Sequence, residues 1–110
     1  MTNLIQRITE AIFRQEGMPA EAVNPGNLRR APWLLTPAYA NGFWQPGSRA
    51  EGVAGAAHCV ALRIAEGQTL RQLINAWAPA NDDNETAVYL ANVQNWAVVP
   101  DADAVLWTLL

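Results

Sequence analysis

Apolar residues first recur at helical spacing close to the start of the chain. Leu4, Ile5, Ile8, Ala11 and Ile12 share one stripe, and this i, i+3, i+4 pattern predicts an amphipathic helix over residues 2–16. Gly17 and Pro19 supply the stop, because glycine takes the left-handed turn that closes a helix and proline cannot continue one. Ser48 and Glu51 stand at capping-box spacing and predict a second helix running to about residue 65. That segment is apolar on nearly all sides, from Val53 to Ile64. It is expected to be central to the core, with small residues that admit close neighbours. Thr69 and Gln72 repeat the box and open a short helix through residue 77. A fourth helix is expected over about 84–96 and a last one over about 102–109. No run alternates like a convincing strand, so the expected fold class is all-α, with about five helices.

A long irregular segment follows the first helix. Residues 18–47 hold five of the seven prolines, with several glycines and asparagines. They also hold Trp33, Leu34, Leu35, Tyr39, Phe43 and Trp44, and a solvated linker is not so aromatic. A loop this long and apolar inside a small domain is expected to be packed and functional. At 110 residues the chain suits one compact domain, residues 1–110.

Composition narrows the function classes. Hydrophobic residues make up 51% and charged residues 15%, a globular balance rather than a disordered one. The longest apolar runs are interrupted well short of a membrane span, so no stable membrane insertion is expected. The opening "MTNLIQRITE" lacks a basic start followed by an unbroken apolar segment, so synthesis in the cytoplasm with no signal peptide is expected. The formal net charge is −3 and all seven basic residues are arginine. With Arg29–Arg30 the only basic pair, nucleic acid is not the expected partner. One cysteine, Cys59, and one histidine, His58, make neither a disulfide nor a His/Cys zinc site. No metal or other cofactor is expected. Adjacent helical residues point about 100° apart, which disfavours a Cys59–His58 nucleophilic pair. Cys59 reads as a small hydrophobe and His58 as a core or groove histidine.

The stretch "FRQEG", residues 13–17, raises the chemical question. At 100° per residue, Glu16 lies about 40° around the helix from Ile12 and about 20° from Ile5. A carboxylate therefore shares the buried stripe. Partial desolvation and the negative end of the helix dipole both disfavour its anion. An acid that retains its proton can deliver it to a leaving oxygen, as general acid catalysis on a glycosidic bond requires. Position alone leaves the alternative open that Glu16 bends to solvent or pairs with a loop arginine such as Arg29.

Several motifs in order extend this reading. "RQEG" closes the first helix, "NPGNLR" spans 24–29, "LINAWAPANDDN" spans 73–84 and "ETAVY" spans 85–89. The set, over roughly residues 5–96, resembles the lysozyme superfamily, in particular its lytic transglycosylase and phage-lysozyme-like branch. The resemblance implies a small lysozyme-like domain whose catalytic residue is Glu16. Its partner would be the glycan strands of peptidoglycan, cut between N-acetylmuramic acid and N-acetylglucosamine. It implies that Tyr89 lines the cleft and hydrogen-bonds Glu16 or the substrate, with Thr86, on the same helix face, as a further candidate substrate contact. From spacing alone Tyr89 reads as a core tyrosine whose hydroxyl finds one partner. Asn27 is a candidate for sugar binding, with turn stabilisation as the equal alternative, and for Asn24 the turn role is favoured. Trp33 and Trp44 are the candidate stacking surfaces, while Trp77, Trp96 and Trp107 are expected in the core.

The match has departures. Gly17 stands where many lytic transglycosylases have serine, and their Gly-Leu-Met-Gln element is missing. An acidic chain is also an unexpected tool for an anionic cell wall. Glu51 and Glu85 are explained by their helix starts, and Glu21, Asp82 and Asp83 read as solvated. A single acid suits the transglycosylase scheme, in which Glu16 protonates the glycosidic oxygen and then takes a proton from the sugar's own 6-hydroxyl. A two-carboxylate muramidase would need a second acid roughly 5–9.5 Å away. Action at the bacterial cell wall or periplasm, or as a virion component, follows from the resemblance, with virion or secretion-system proteins as further partners. The alternatives are a catalytically inactive lysozyme-like domain that binds glycan or protein, and a cytosolic helical interaction module whose motif matches are chance.

Overall fold

Local hydrogen bonding sets the helix ends in the computed structural model, which describes residues 3–30, 38–80 and 84–110. Helix α1 is Leu4–Glu16. The side-chain oxygen of Asn3 accepts from Gln6 N at 2.8 Å at its start. At its end Gly17 takes a φ of 63°, and its N–H reaches Phe13 O at 3.1 Å. Helix α2 is Arg49–Ala65, with Ser48 Oγ accepting from Glu51 N at 3.1 Å. Helix α3 is Leu70–Trp77 and begins with a reciprocal capping box between Thr69 and Gln72. Helix α4 is Thr86–Ala97.

Two expectations need correction. The chain is mostly helical but not all-α. An antiparallel hairpin pairs β1 (Ala38–Ala40) with β2 (Phe43–Gln45), Tyr39 opposite Trp44. Its turn is Asn41-Gly42, with φ of 54° and 81°, the positive values at both positions that a type I′ turn requires. The second correction concerns the last helix, which is only a 3-10 helix, Leu106–Leu109. Asp101 caps a turn by accepting from Asp103 N. Val105 is extended and bridges Thr69, so no continuous helix forms over 102–109.

The core lies where α1 and α4 pack together. They run antiparallel: Arg7 Nε donates to Ala97 O at 2.9 Å near one end, and Asn92 Nδ2 to Gln15 Oε1 at 2.9 Å near the other. Ile8 and Ile12 from α1, Val93 and Ala97 from α4, and Leu73 and Ile74 from α3 are buried in one cluster. Backbone bonds from Arg71 N to Ala102 O and from Leu106 N to Gln68 O fasten the tail beside α3.

Helix α2 is not the all-round buried helix its composition suggests. It buries one face, Gly52, Gly55, Ala56, Val60 and Ile64, while Leu62 is 46% exposed. Alanine offers little apolar area, so its burial supplies little driving force. The small residues instead make room for residues 22–26. Arg49 Nη1 donates to Ala22 O at 2.6 Å. A Cβ on Gly52 would collide with the Val23 carbonyl, and Gly26 sits between Ala56 and Trp77. Among the described residues no helix is long and apolar enough to cross a membrane.

Gly52→Ala tests this close approach. The added methyl meets backbone rather than a flexible side chain, so the variant should lose about 1–3 kcal/mol of stability, the usual cost of overpacking, in urea denaturation followed by circular dichroism.

Candidate active site

The site begins with a turn that one asparagine holds together. Asn24 is 7% exposed. Its Nδ2 donates to Leu28 O and to Trp44 O, both at 2.9 Å, and its Oδ1 accepts from Leu28 N at 3.0 Å. Trp44 N also donates to Leu28 O at 2.9 Å. One side chain therefore joins the turn to strand β2. Pro25 and Gly26 are buried, and Asn27 N reaches back to Asn24 O at 3.0 Å. Asn27 itself has a φ of 52°, a left-handed conformation that asparagine tolerates better than most residues. Trp77, from the end of α3, donates its indole N–H to Gly26 O at 3.0 Å and so fixes the turn from the other side.

Glu16 stands next to this turn, half-buried in the last residue of α1. Tyr89 Oη donates to Glu16 Oε2 at 2.7 Å. The tyrosine is 4% exposed and belongs to the core cluster, so its buried hydroxyl finds its partner in the acid. Burial, the negative charge of Glu16 and the hydrogen bond to it, in that order of size, raise the Tyr89 hydroxyl well above its ordinary range. The hydroxyl is therefore a permanent donor that pins one carboxylate oxygen. Among the described residues no group hydrogen-bonds Oε1.

Glu16 borders a cleft of about 660 Å³, within the range of small-ligand sites. The turn residues Asn27 and Leu28, with Arg29, Arg30 and Phe43, form one wall. Cys59, Leu62, Arg63 and Glu66 of the α2 segment form another, and Ala76, Trp77, Pro79 and Asn84 complete it. Arg29 lies over the Phe43 ring, 4.7 Å from its centre. The Asn27 side-chain amide has no hydrogen-bond partner among the described residues and lines the cleft.

Two of the expected sugar contacts are placed elsewhere. Trp44 is only 2% exposed and offers no open ring face, because β2 docks it against the turn. Thr86 does not line the cleft, and its hydroxyl donates to Ala78 O at 2.8 Å, tying α4 to the end of α3. Trp33 lies outside the described residues, as do Asp82 and Asp83. Trp107, expected in the core, is 52% exposed against Gly67. His58 is on the exposed face of α2. Burial raises the Cys59 thiol despite the opposing charge of Arg63, so the neutral thiol is a poor nucleophile. No group of three or more metal-ligating side chains occurs among the described residues.

Arg63, Glu66, Trp77 and Asn84 were not legible as cleft residues. Cys59, Leu62, Arg63 and Glu66 do recur at i, i+3, i+4 and i+7, a helical stripe that forms a second face of α2. Periodicity alone does not say whether such a face meets protein, ligand or water. No family model, curated protein or solved structure matches the chain.

Two variants probe the site's framework. Asn24→Ala removes three hydrogen bonds around a buried turn and should cost about 1–3 kcal/mol in chemical denaturation. Tyr89→Phe tests the buried donor through pH. An unfolded chain releases the Tyr89 proton above its ordinary value of 10.0, whereas the folded chain retains it. The stabilisation is thus complete below pH 10 and declines as pH rises. Between pH 9 and 11 the wild type should lose about 1.4 kcal/mol relative to Tyr89→Phe, measured by parallel urea titrations.

Proposed function

We propose that this chain is a lysozyme-like glycosidase that cuts peptidoglycan glycan strands between N-acetylmuramic acid and N-acetylglucosamine, with Glu16 as general acid and then base. The observation that carries the reading is a carboxylate on the rim of a ligand-sized cleft, one oxygen pinned by Tyr89 and the other without a hydrogen bond. A fixed carboxylate suits proton transfer, since the proton must leave from a defined atom toward a defined oxygen. The ordered motifs from "RQEG" to "ETAVY" support the same reading.

In this scheme Oε1 carries the proton. Glu16 passes it to the bridging oxygen as the glycosidic bond breaks, and the N-acetylglucosamine side leaves as an alcohol. The resulting carboxylate takes the proton of the muramyl 6-hydroxyl, whose oxygen closes onto the anomeric carbon and gives an anhydro end. If water attacks instead, the same acid serves a muramidase, and Glu66 is a second carboxylate in the same cleft. Asn27, with its unpaired amide, and Trp77, on the cleft wall, are the residues best suited to hold sugar. Asn27 keeps the role expected for it, and Trp77 takes the place of Trp44 and Thr86.

Glu16→Gln keeps the shape and removes the acid. Clearing of a cell-wall suspension should fall at least about a hundredfold, the lower range of general acid catalysis, with an unchanged circular dichroism spectrum. Mass spectrometry of the wild-type products distinguishes anhydro ends from hydrolysed ones. Saturable binding to wall fragments without clearing by the wild type would instead identify a non-catalytic lysozyme-like domain.

A further inference from the structure

The overall charge of the chain does not describe its cleft. Seven arginines stand against ten acids in the whole sequence. Among the described residues, the cleft gathers Arg29, Arg30 and Arg63 against Glu16 and Glu66, so the balance reverses sign there. Arg29 is engaged with Phe43. Arg30 and Arg63 have neither a hydrogen-bond nor an ion-pair partner among the described residues, and Arg63 is half-buried. Arg63 is thus partly withdrawn from water, where a guanidinium is ordinarily paired, while Arg30 is exposed; the two face one cleft and together form a receptor for anions. The planar donor fork of arginine fits a carboxylate with two parallel hydrogen bonds.

We propose that Arg30 and Arg63 make this cleft selective for glycans that carry carboxylates, a claim that rests on the glycosidase reading and specifies its substrate. A homopolymer of N-acetylglucosamine is neutral and offers these arginines nothing to bind. A muramyl sugar carries a lactyl carboxyl group, either free or joined to a peptide with carboxylates of its own. The site thus discriminates between two polymers with the same backbone linkage by charge beside the bond and not by the sugar ring. The low-dielectric wall made by Leu62, Phe43 and Trp77 strengthens that attraction relative to open water.

Calorimetry with the Glu16→Gln protein, which binds without turnover, tests the proposal on three soluble tetrasaccharides. The first is neutral chitotetraose. The second is an alternating N-acetylglucosamine–N-acetylmuramic acid tetrasaccharide with free lactyl carboxylates, and the third is the same strand bearing stem peptides. At least one carboxylated strand should bind about tenfold or more tighter than chitotetraose. The preference should shrink as salt rises, as it does for partly exposed charges. The second and third strands report which carboxylate is read. Arg30→Gln with Arg63→Gln should abolish the preference and leave the neutral affinity in place, and Arg→Lys at both positions should keep part of it. Thermal melts of each variant establish that the fold persists. Equal binding of neutral and carboxylated strands, or no binding of either, overturns the proposal. A preference that persists in the double glutamine variant overturns it as well. Clearing assays on the wild type separate the two claims: clearing without a preference removes the charge selection alone, and a preference without clearing removes the enzyme reading alone.

Discussion

A buried phenol needs a partner, and the hydrogen bond from Tyr89 to Glu16 answers that need at the point where α1 and α4 end their antiparallel contact. The ring of Tyr89 contributes apolar area to the core, yet its hydroxyl cannot be left unpaired there without a desolvation cost of about 1–3 kcal/mol. Glu16 supplies the acceptor at 2.7 Å. This accounts for a carboxylate on the apolar stripe of the first helix. The stripe continues to Glu16 because one of its oxygens completes the core, while the side chain borders the cleft. Tyr89 is a core residue whose hydroxyl also holds one oxygen of Glu16, and it is not among the residues that line the cleft.

The cleft depends on a second constraint, the rigidity of residues 22–28. A turn rich in glycine and proline could adopt many conformations, but here it is held on three sides. Asn24 ties it to β2, Trp77 ties it to α3, and the small face of α2 lets its backbone approach where any larger residue than Gly52 would collide. The glycines and alanines of α2 thus contribute to the site by their lack of side chain. They explain why a helix of high apolar content still leaves one face to water and the cleft.

Charge follows the same division between whole and part. A net charge of −3 governs the long-range field and solubility of the chain. Recognition depends on groups within a few ångströms, and there arginines outnumber acids among the described residues. An acidic protein and an anionic ligand are therefore compatible when the positive side chains are gathered on one concave surface. The neutral Cys59 thiol beside Arg63 adds no competing negative charge.

The positions and ends of α1, α2 and α3 were decided by the sequence itself. Their causes are local: the stripe from Leu4 to Ile12, Gly17 in its left-handed turn, the Ser48 cap and the Thr69 box all act within a few residues of the chain. The hairpin was also locally written, in Asn41-Gly42, but three-residue strands are too short to show an alternating pattern. Folding in three dimensions decided the rest. It set Tyr89 on Glu16 across 73 residues and Trp77 on Gly26 across 51. It turned Trp44 inward, committed Thr86 to Ala78, and chose which stripe of α2 would face a cleft. Such outcomes depend on how whole surfaces share a limited core, and that competition has no signature within one stretch of chain.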